Sequence, residues 1–265
     1  MTTHEIALQE LMDSYHNSPQ PSFKVTNYFS VYASLFSHLR GTPCTFIETG
    51  ILNGGSLFMW RSWLGKQARI IGVDLNPGAE KWKAHGFEIY VGDQGDPQFW
   101  RDTFRHIGQF DVLLDDGGHQ SFQQIVTLSE ALKAAKDRST ILIEDTCSSI
   151  MKEFSRHRNH SFLQYAKDST DNLVANTTHF FPGQFPVIDN PEIVDLFGSV
   201  HSIEFFSGMV AYKIDRSATR RPELVWNRQP AESASDFRYN GSVSAVVDWP
   251  NPFTRETVVV RGGHD

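Results

Sequence analysis

Two short acidic segments of this chain have the residue types of a metal-dependent active site. Residues 115–119 read DDGGH and follow one apolar run, while Glu144 and Asp145 follow the next run. If the two runs are neighbouring strands of a parallel sheet, Asp116, Glu144 and Asp145 converge at one edge. Carboxylates this close repel one another unless a cation lies between them, and hard oxygen donors suit Mg²⁺. The segments therefore predict a magnesium site formed by these three acids.

The histidine of the first segment is a candidate general base. His119 comes three residues after Asp116, on the loop that opens the next predicted helix, so it can stand beside the ion without binding it. Taken separately, a tight turn, a polar strand end and a surface histidine are the more common interpretations of these residues. Their combination favours a reaction in which a hydroxyl group is deprotonated.

A third segment, TFIETGILNGGS at 45–56, is typical of a ligand-binding turn between a strand and a helix. The predicted strand ends at Glu48, Gly50 makes a tight turn, and a helix starts near Ser56. Leu52 breaks the dinucleotide fingerprint GxGxxG, and the segment lacks the lysine of a phosphate loop. The remaining pattern resembles motif I of class I methyltransferases, which bind S-adenosylmethionine. An ordinary turn of a doubly wound fold is the alternative.

Acidic residues at the ends of two further strands are candidate contacts for such a ligand. Asp74 ends the run RIIGVDL, two dozen residues beyond Gly50, where an acid can accept hydrogen bonds from a ribose diol. Asp93 and Gln94 follow the next strand, where an adenine could bind. A helix cap or a loop aspartate is the alternative for each acid.

The positions of these residues depend on five strands that alternate with helices. The predicted strands are Thr45–Ile47, Arg69–Leu75, Phe87–Val91, Phe110–Leu114 and Thr140–Ile143. Residues 202–214 then predict a hairpin centred on Ser207-Gly208. The pattern predicts an α/β Rossmann-like fold with helices on both faces. Its seven-stranded sheet is mostly parallel, with an antiparallel last strand.

Composition excludes several classes of function. The chain has 265 residues, a formal net charge of −7 and two cysteines. Without a basic cluster we expect no nucleic-acid partner, and without a long apolar run we expect no membrane span. Two cysteines form no disulfide scaffold, and the polar N-terminus does not read as a signal peptide, so we expect a cytoplasmic protein.

Three regions are expected along the chain. Residues 1–25 are polar and read as an N-terminal arm or lid, and residues 26–214 form the methyltransferase-like domain. Residues 215–265 are rich in Arg, Pro, Ser and Asn. We interpret them as a C-terminal tail that contacts another subunit or covers the site.

Taken in order, FIETGILNGGSLFMW, IIGVDL, GDQGDPQFW, LLDDGGH and LIEDT resemble the macrocin-type sugar O-methyltransferases, which are grouped with cephalosporin-hydroxylase-like proteins. The resemblance covers roughly residues 24–214. It implies a class I methyltransferase fold, S-adenosylmethionine and Mg²⁺ as cofactors, and a homo-oligomer, either a dimer or a tetramer. A departure follows the Glu144-Asp145 pair, where Cys147-Ser148-Ser149-Ile150 replaces a segment that faces the acceptor.

The resemblance also implies roles for individual residues. Asp116, Glu144 and Asp145 would hold the metal, and His119 would be the base. The residues implied for the S-adenosylmethionine site are Glu48, Gly50, Gly54, Ser56, Asp74, Asp93, Gln94 and Asp115.

The sequence therefore predicts a metal-dependent O-methyltransferase that acts on a sugar hydroxyl of a small-molecule acceptor. Two alternatives remain open at this point. One is a methyltransferase of a phenol or catechol, for which a base matters less because phenols ionise more easily. The other is a non-catalytic protein that binds S-adenosylmethionine.

Overall fold

The chain folds around one seven-stranded sheet in a computed structural model that describes residues 1–155, 160–175, 197–219, 248–250 and 257–259. The strands of this sheet are β1 (Cys44–Thr49), β2 (Ala68–Asp74), β3 (Glu88–Val91), β4 (Val112–Asp115), β5 (Thr140–Ile143), β6 (Val200–Phe206) and β7 (Met209–Ile214). Their order is β3-β2-β1-β4-β5-β7-β6. The first five are parallel, and β7 runs antiparallel to both β5 and β6. The predicted class I methyltransferase fold is confirmed.

Helices cover both faces of the sheet, as predicted. They are α1 (Thr3–His16), α2 (Tyr28–Phe36), α3 (Gly55–Leu64), α4 (Pro97–Ile107), α5 (Ser121–Ala134) and α6 (Phe162–Ala175). Short 3₁₀ helices lie at Ser37–Leu39, Pro77–His85 and Thr146–Ile150. A separate pair of strands, β8 (Asp248–Pro250) and β9 (Thr257–Val259), is antiparallel. None of the helices in the described ranges is long and apolar enough to cross a lipid bilayer.

Alternation along the central strand divides the core into two layers. Phe46 of β1 packs with Trp60 and the residues of α1, α2 and α3, whereas the next residue, Ile47, packs with Trp100 and the residues of α4, α5 and α6. Successive side chains of a strand point to opposite faces, so a strand buried on both sides is apolar throughout. Acidic residues are therefore left for the strand ends, where the candidate site lies.

The first 25 residues, expected as an arm or lid, begin with a packed helix. Thr2 and Glu5 form a capping box at the start of α1, and Ala7 and Leu11 are buried. The indole of Trp63 donates a hydrogen bond to the Ala7 carbonyl at 2.9 Å. Only the stretch after α1 crosses the carboxyl edge of the sheet. Its role as a lid stays a prediction.

Helix starts show where local signals are reliable. The sequence predicts that Asp96 caps α4, and this is confirmed, because its side chain accepts a hydrogen bond from the Gln98 amide; Gly108 ends that helix. The spacing of Ser121 and Gln124 predicts a capping box at the start of α5, and this prediction is wrong. Ser121 is the first residue inside the helix, and the Gln124 side chain donates instead to the Glu144 carbonyl at 2.9 Å. A tertiary contact has replaced the local one.

Most of the segment that we interpret as a C-terminal tail lies outside the described residues. Of residues 215–265, the structure describes 215–219, 248–250 and 257–259. A contact of the tail with another subunit or with the site therefore stays a prediction.

Gly50 fixes the turn that follows β1. Its φ is +79°, and a Cβ atom there would lie 2.1 Å from the Asp116 carbonyl oxygen. The amide of Gly50 also donates to the Val73 carbonyl at 2.8 Å. The turn thus brings β1, β2 and the loop after β4 together with no room for a side chain.

Replacing Gly50 by Ala tests this close approach, with Gly41→Ala as the matched control. Gly41 has a φ of +69° but nothing within 4 Å of its Cβ position. Both variants place alanine in a left-handed conformation, which costs about 1–2 kcal/mol. Gly50→Ala adds a backbone clash and should lose about 2–5 kcal/mol of unfolding free energy in urea titrations. Equal losses of unfolding free energy in the two variants would contradict the close contact between Gly50 and the Asp116 backbone.

Candidate active site

A cavity of about 610 Å³ lies where the carboxyl ends of the parallel strands meet. Its wall includes five of the residues predicted to bind a cofactor, namely Gly50, Ser56, Asp74, Asp93 and Gln94. Asp116, His119 and Asp145 line the same cavity. Glu48, Gly54, Asp115 and Glu144 are not among its lining residues. The structure therefore brings most of the predicted site together and places four of its residues behind the wall.

Asp74 ties the end of β2 to the turn after β1. One oxygen, Oδ2, accepts hydrogen bonds from the amides of Ile51 and Leu52 at 3.1 and 3.3 Å. The other, Oδ1, accepts from the Asn76 amide at 2.8 Å. A carboxylate has about four lone-pair sites. Asp74 can therefore organise the turn and still accept a hydrogen bond from a ligand hydroxyl.

One carboxylate oxygen of Asp93 accepts no hydrogen bond from the described residues. The Asp93 Oδ1 accepts from the Gly95 amide at 2.7 Å and from the Gln123 side chain at 3.3 Å, and neither contact uses Oδ2. Asp93 is exposed. This is a suitable acceptor for an amino group such as that of adenine.

Gln94 and Asp115 brace the glycine loop after β4. The Gln94 Nε2 donates to both oxygens of buried Asp115, at 2.9 and 3.1 Å. The Gln94 Oε1 accepts from the Gly118 amide at 2.8 Å. Burial raises the pKa of the Asp115 carboxyl, and its bonds to Gln94 and Gly117 oppose the rise. Asp115 thus supports the cavity wall, and contact between Asp115 and a cofactor stays a prediction.

The two remaining residues of the predicted cofactor set also lie behind the wall. Glu48 is fully buried and accepts a hydrogen bond from the Ser56 hydroxyl at 2.6 Å. Gly54 lies against the ring of Trp82. Their contribution to ligand binding stays a prediction, since both act on the shape of the turn.

A buried lysine lies among the acids at this edge. The Lys24 ammonium is 2.6 Å from Asp116 Oδ2, 3.3 Å from Glu48 Oε1 and 3.4 Å from Glu144 Oε2, and the Lys24 side chain is 2% exposed. Glu48 lies near the end of β1, and Asp116 and Glu144 directly follow β4 and β5; these three strands are adjacent in the sheet. Lys24 therefore supplies the positive charge that three neighbouring strand ends require.

Burial and charge set the protonation of this cluster. Burial raises the pKa of the Glu48 carboxyl, while Lys24 and the Ser56 hydroxyl oppose the rise. Burial raises the pKa of the Glu144 carboxyl to about 8, with Lys24 opposing and Asp116 reinforcing the rise. Burial also opposes the charge on Lys24, but the surrounding carboxylates outweigh it and raise the pKa of its ammonium. One ammonium cannot neutralise all the acids, so the cluster retains protons near neutral pH.

Asp116, His119 and Asp145 form a second, more open group beside the lysine. Each offers one ligand atom, and the three atoms lie within 4.8 Å of one another. The Nε2 of His119 is 3.5 Å from Asp145 Oδ2. His119 and Asp145 both have left-handed backbones, with φ values of 55° and 52°. Such conformations cost energy and concentrate at functional sites.

Glu144 is directed away from this open group. Its carboxylate accepts a hydrogen bond from the Tyr32 hydroxyl and faces Lys24. The predicted trio of Asp116, Glu144 and Asp145 therefore lies at one sheet edge, but only Asp116 and Asp145 line the cavity, and Lys24 contacts both Asp116 and the buried Glu144. Metal binding by Glu144 stays a prediction.

Three residues that hold the acids could not be recognised from sequence motifs. Lys24, Tyr28 and Tyr32 are spaced four residues apart and contact Asp116, Asp145 and Glu144, respectively. The two tyrosines belong to the inward stripe of α2, which predicts core packing. A buried tyrosine hydroxyl needs a hydrogen-bond partner, and this requirement could have indicated that the two tyrosines contact polar groups.

The donor set at the open group fits a hard divalent cation. Asp116 and Asp145 offer carboxylate oxygens, which suit Mg²⁺ or Mn²⁺. His119 lies close enough to be a third ligand, or to act on a bound hydroxyl if it stays free of the ion. The geometry of the described residues accommodates either role.

Known proteins similar to this chain are sugar O-methyltransferases. Over 124 residues it is 34% identical to the 8-demethyl-8-(2-methoxy-α-L-rhamnosyl)-tetracenomycin-C 3'-O-methyltransferase of Streptomyces olivaceus, a match that covers 43% of this chain and 31% of the relative. Over 150 residues it is 27% identical to the mycinamicin VI 2''-O-methyltransferase of Micromonospora griseorubida, covering 52% and 35%. The matches thus span about a third of the relatives' length. No protein-family model matches the chain.

A solved structure of similar fold is the MycE methyltransferase from the mycinamycin biosynthetic pathway, in complex with Mg and SAH. The TM-score is 0.69 at 20% identity, over 88% of this chain and 57% of MycE. This likeness supports the fold assignment. The sequence matches confirm the predicted resemblance to the macrocin-type O-methyltransferases at moderate identity.

The raised pKa of Glu144 predicts a pH-dependent stability. Because this carboxyl has a folded-state pKa of about 8 against a usual 4.5, unfolding releases a proton between these values. The free energy of unfolding should therefore fall as pH rises from about 4.5 to about 8, with a slope of at most about 1.4 kcal/mol per pH unit from this group. In urea titrations across this range, Glu144→Gln should flatten the profile, and Glu80→Gln, at an exposed position, should not. An unchanged slope in Glu144→Gln would contradict the prediction.

Proposed function

We propose that this chain is a cation-dependent S-adenosylmethionine O-methyltransferase that acts on a sugar hydroxyl of a natural product. One observation carries the proposal. The residues suited to a nucleoside donor, Asp74 and Asp93, line the same cavity as the cation and base candidates Asp116, His119 and Asp145. The similarity to O-methyltransferases of sugars on tetracenomycin and mycinamicin supports the choice of acceptor.

The reaction needs a donor, an acceptor oxygen and a base within one cavity. Bound S-adenosylmethionine would supply a methyl group on a positively charged sulfur, and a bound divalent cation would lower the otherwise high pKa of a sugar hydroxyl. Asp74 and Asp93 would hold the ribose and the adenine, and the Gly50 turn would face the remainder of the donor. Asp116 and Asp145 would hold the cation.

His119 would complete the transfer by accepting a proton. The acceptor oxygen would take the methyl group as the donor's carbon–sulfur bond breaks and S-adenosylhomocysteine leaves, and it would give its proton to His119 Nε2. Asp145, with Oδ2 at 3.5 Å from that nitrogen, would orient the imidazole and stabilise its charged form. Apart from this proton, the chain contributes positioning, since the donor is already activated by its charge.

We also propose a homo-oligomer, as the resemblance implies. Light scattering of the full chain would test it, and a monomer at all concentrations would contradict it.

Turnover assays test the proposed function directly. The full chain would be incubated with S-adenosylmethionine, Mg²⁺ and a panel of deoxysugar glycosides, nucleotide-linked sugars and catechols, and methylated products would be detected by mass spectrometry. We expect methylation of a sugar hydroxyl that stops on addition of EDTA. Methylation of catechols alone would favour a phenol methyltransferase. Binding of S-adenosylmethionine without turnover on any acceptor would favour a binding protein.

His119→Ala separates a base from a metal ligand. If His119 is the base, kcat should fall about 100-fold or more, while the affinity for Mn²⁺ measured by calorimetry stays within about threefold. His106→Ala, at an exposed position on α4, is the matched control and should leave both values unchanged. Loss of Mn²⁺ binding in His119→Ala would instead make the imidazole a ligand, and an unchanged kcat would remove it from the mechanism.

A further inference from the structure

Tyr28 holds one of the two acids that face the candidate cation group. Its hydroxyl donates a hydrogen bond to Asp145 Oδ1 at 2.7 Å, and the Tyr28 side chain is buried. The other oxygen of Asp145, Oδ2, is the one that lies near His119. The tyrosine thus occupies one oxygen and leaves the second directed at the open group. Lys24 holds the other acid in a similar way, because its ammonium lies 2.6 Å from Asp116 Oδ2.

The hairpin between β6 and β7 makes room for this tyrosine. The Tyr28 hydroxyl lies 3.3 Å from the Gly208 carbonyl oxygen, and a Cβ atom at Gly208 would lie 2.4 Å from that hydroxyl. The Gly208 carbonyl also accepts a hydrogen bond from the Thr146 amide at 3.0 Å. Any larger residue at 208 would therefore displace the hydroxyl that contacts Asp145.

Asp145 needs these contacts because its own backbone is strained. Its φ and ψ are 52° and 38°, a left-handed conformation that is unfavourable for a residue with a side chain. Such a conformation persists only where the surroundings determine it. Here the side chain is held by Tyr28, and the following amide is held by Gly208.

We propose that Tyr28 is a positioning residue that aims Asp145 at a divalent cation, and that Gly208 is required because it admits the tyrosine hydroxyl. Tyr28 touches neither the donor nor the acceptor in this assignment and acts only through Asp145. The inference rests on the cation site of the proposed function.

Calorimetric titration of the metal-free full chain with Mn²⁺ tests the role of Tyr28. Partners that orient metal ligands typically change metal affinity by about 10–100-fold when removed. We therefore expect Tyr28→Phe to weaken Mn²⁺ binding by about 10-fold or more. Tyr212→Phe makes the same chemical change at a fully buried site on β7 and should bind Mn²⁺ within about twofold of the natural chain.

A second pair of variants tests the role of Gly208. Gly208→Ala should reproduce the loss of Mn²⁺ affinity, although Gly208 is not a ligand. Gly108→Ala is the matched control, since its φ of +79° is close to the +84° of Gly208 but nothing lies within 4 Å of its Cβ position. The double variant Tyr28→Phe with Gly208→Ala should bind no more weakly than the poorer single variant, because both changes remove one interaction.

The outcomes separate the positioning role from the proposed function. If the natural chain binds Mn²⁺ and the folded Tyr28→Phe variant binds it equally well, the positioning role is wrong and the cation site stands. If the natural chain binds no Mn²⁺, the cation site itself is wrong and the role of Tyr28 falls with it. Circular dichroism establishes that each variant is folded, and Tyr28→Phe decides the matter if Gly208→Ala does not fold.

Discussion

The contact between the Lys24 ammonium and the acids of three adjacent strand ends is the constraint on which the site depends. Glu48, Asp116 and Glu144 leave β1, β4 and β5 at the same edge, so their charges cannot be separated without changing the sheet. A buried carboxylate with no partner costs several kcal/mol, and one lysine offsets only part of that cost. Because Lys24 does not offset the whole cost of burying these charges, burial raises the pKa of both the Glu48 and the Glu144 carboxyl.

The same excess of negative over positive charge makes the open side of the acid cluster suitable for binding cations. Asp145 adds a fourth carboxylate, so the edge carries several negative charges against one ammonium. A divalent cation or a sulfonium group bound here would offset negative charge that the Lys24 ammonium leaves uncompensated. In the proposed function, the site therefore attracts its two charged ligands by the charge that the fold leaves uncompensated.

The elements that hold the acids come from both ends of the domain. Helix α2 supplies Tyr28 and Tyr32, the segment before it supplies Lys24, and the hairpin of β6 and β7 supplies Gly208. Each acid of the Glu144-Asp145 pair is thereby given a separate task, with Glu144 facing the lysine and Asp145 facing the cavity. The antiparallel last strand thus has a structural role at the site as well as closing the sheet.

The sequence was sufficient to predict the fold and eight of the residues that line the cavity, because strand ends follow from alternation along the chain. Strand ends such as Asp74 and Asp116 could be placed by counting apolar runs, and a parallel sheet brings such ends together. The direction of a side chain at the edge could not be predicted in this way. Glu144 and Asp145 are consecutive, and tertiary contacts with Tyr32 and Tyr28 decide which of them faces the cavity. Lys24 was missed for the same reason, since its partners lie 24, 92 and 120 residues away.

The central claim is that Asp116 and Asp145 bind a cation while Glu48 and Glu144 stay with Lys24. Anomalous diffraction from crystals grown with Mn²⁺ and S-adenosylhomocysteine tests this claim most directly. The account predicts a single Mn²⁺ peak between Asp116 and Asp145, with the Lys24 ammonium still against Glu48 and Glu144. A Mn²⁺ peak at the position of the lysine ammonium, or the absence of any peak at this edge, would contradict it.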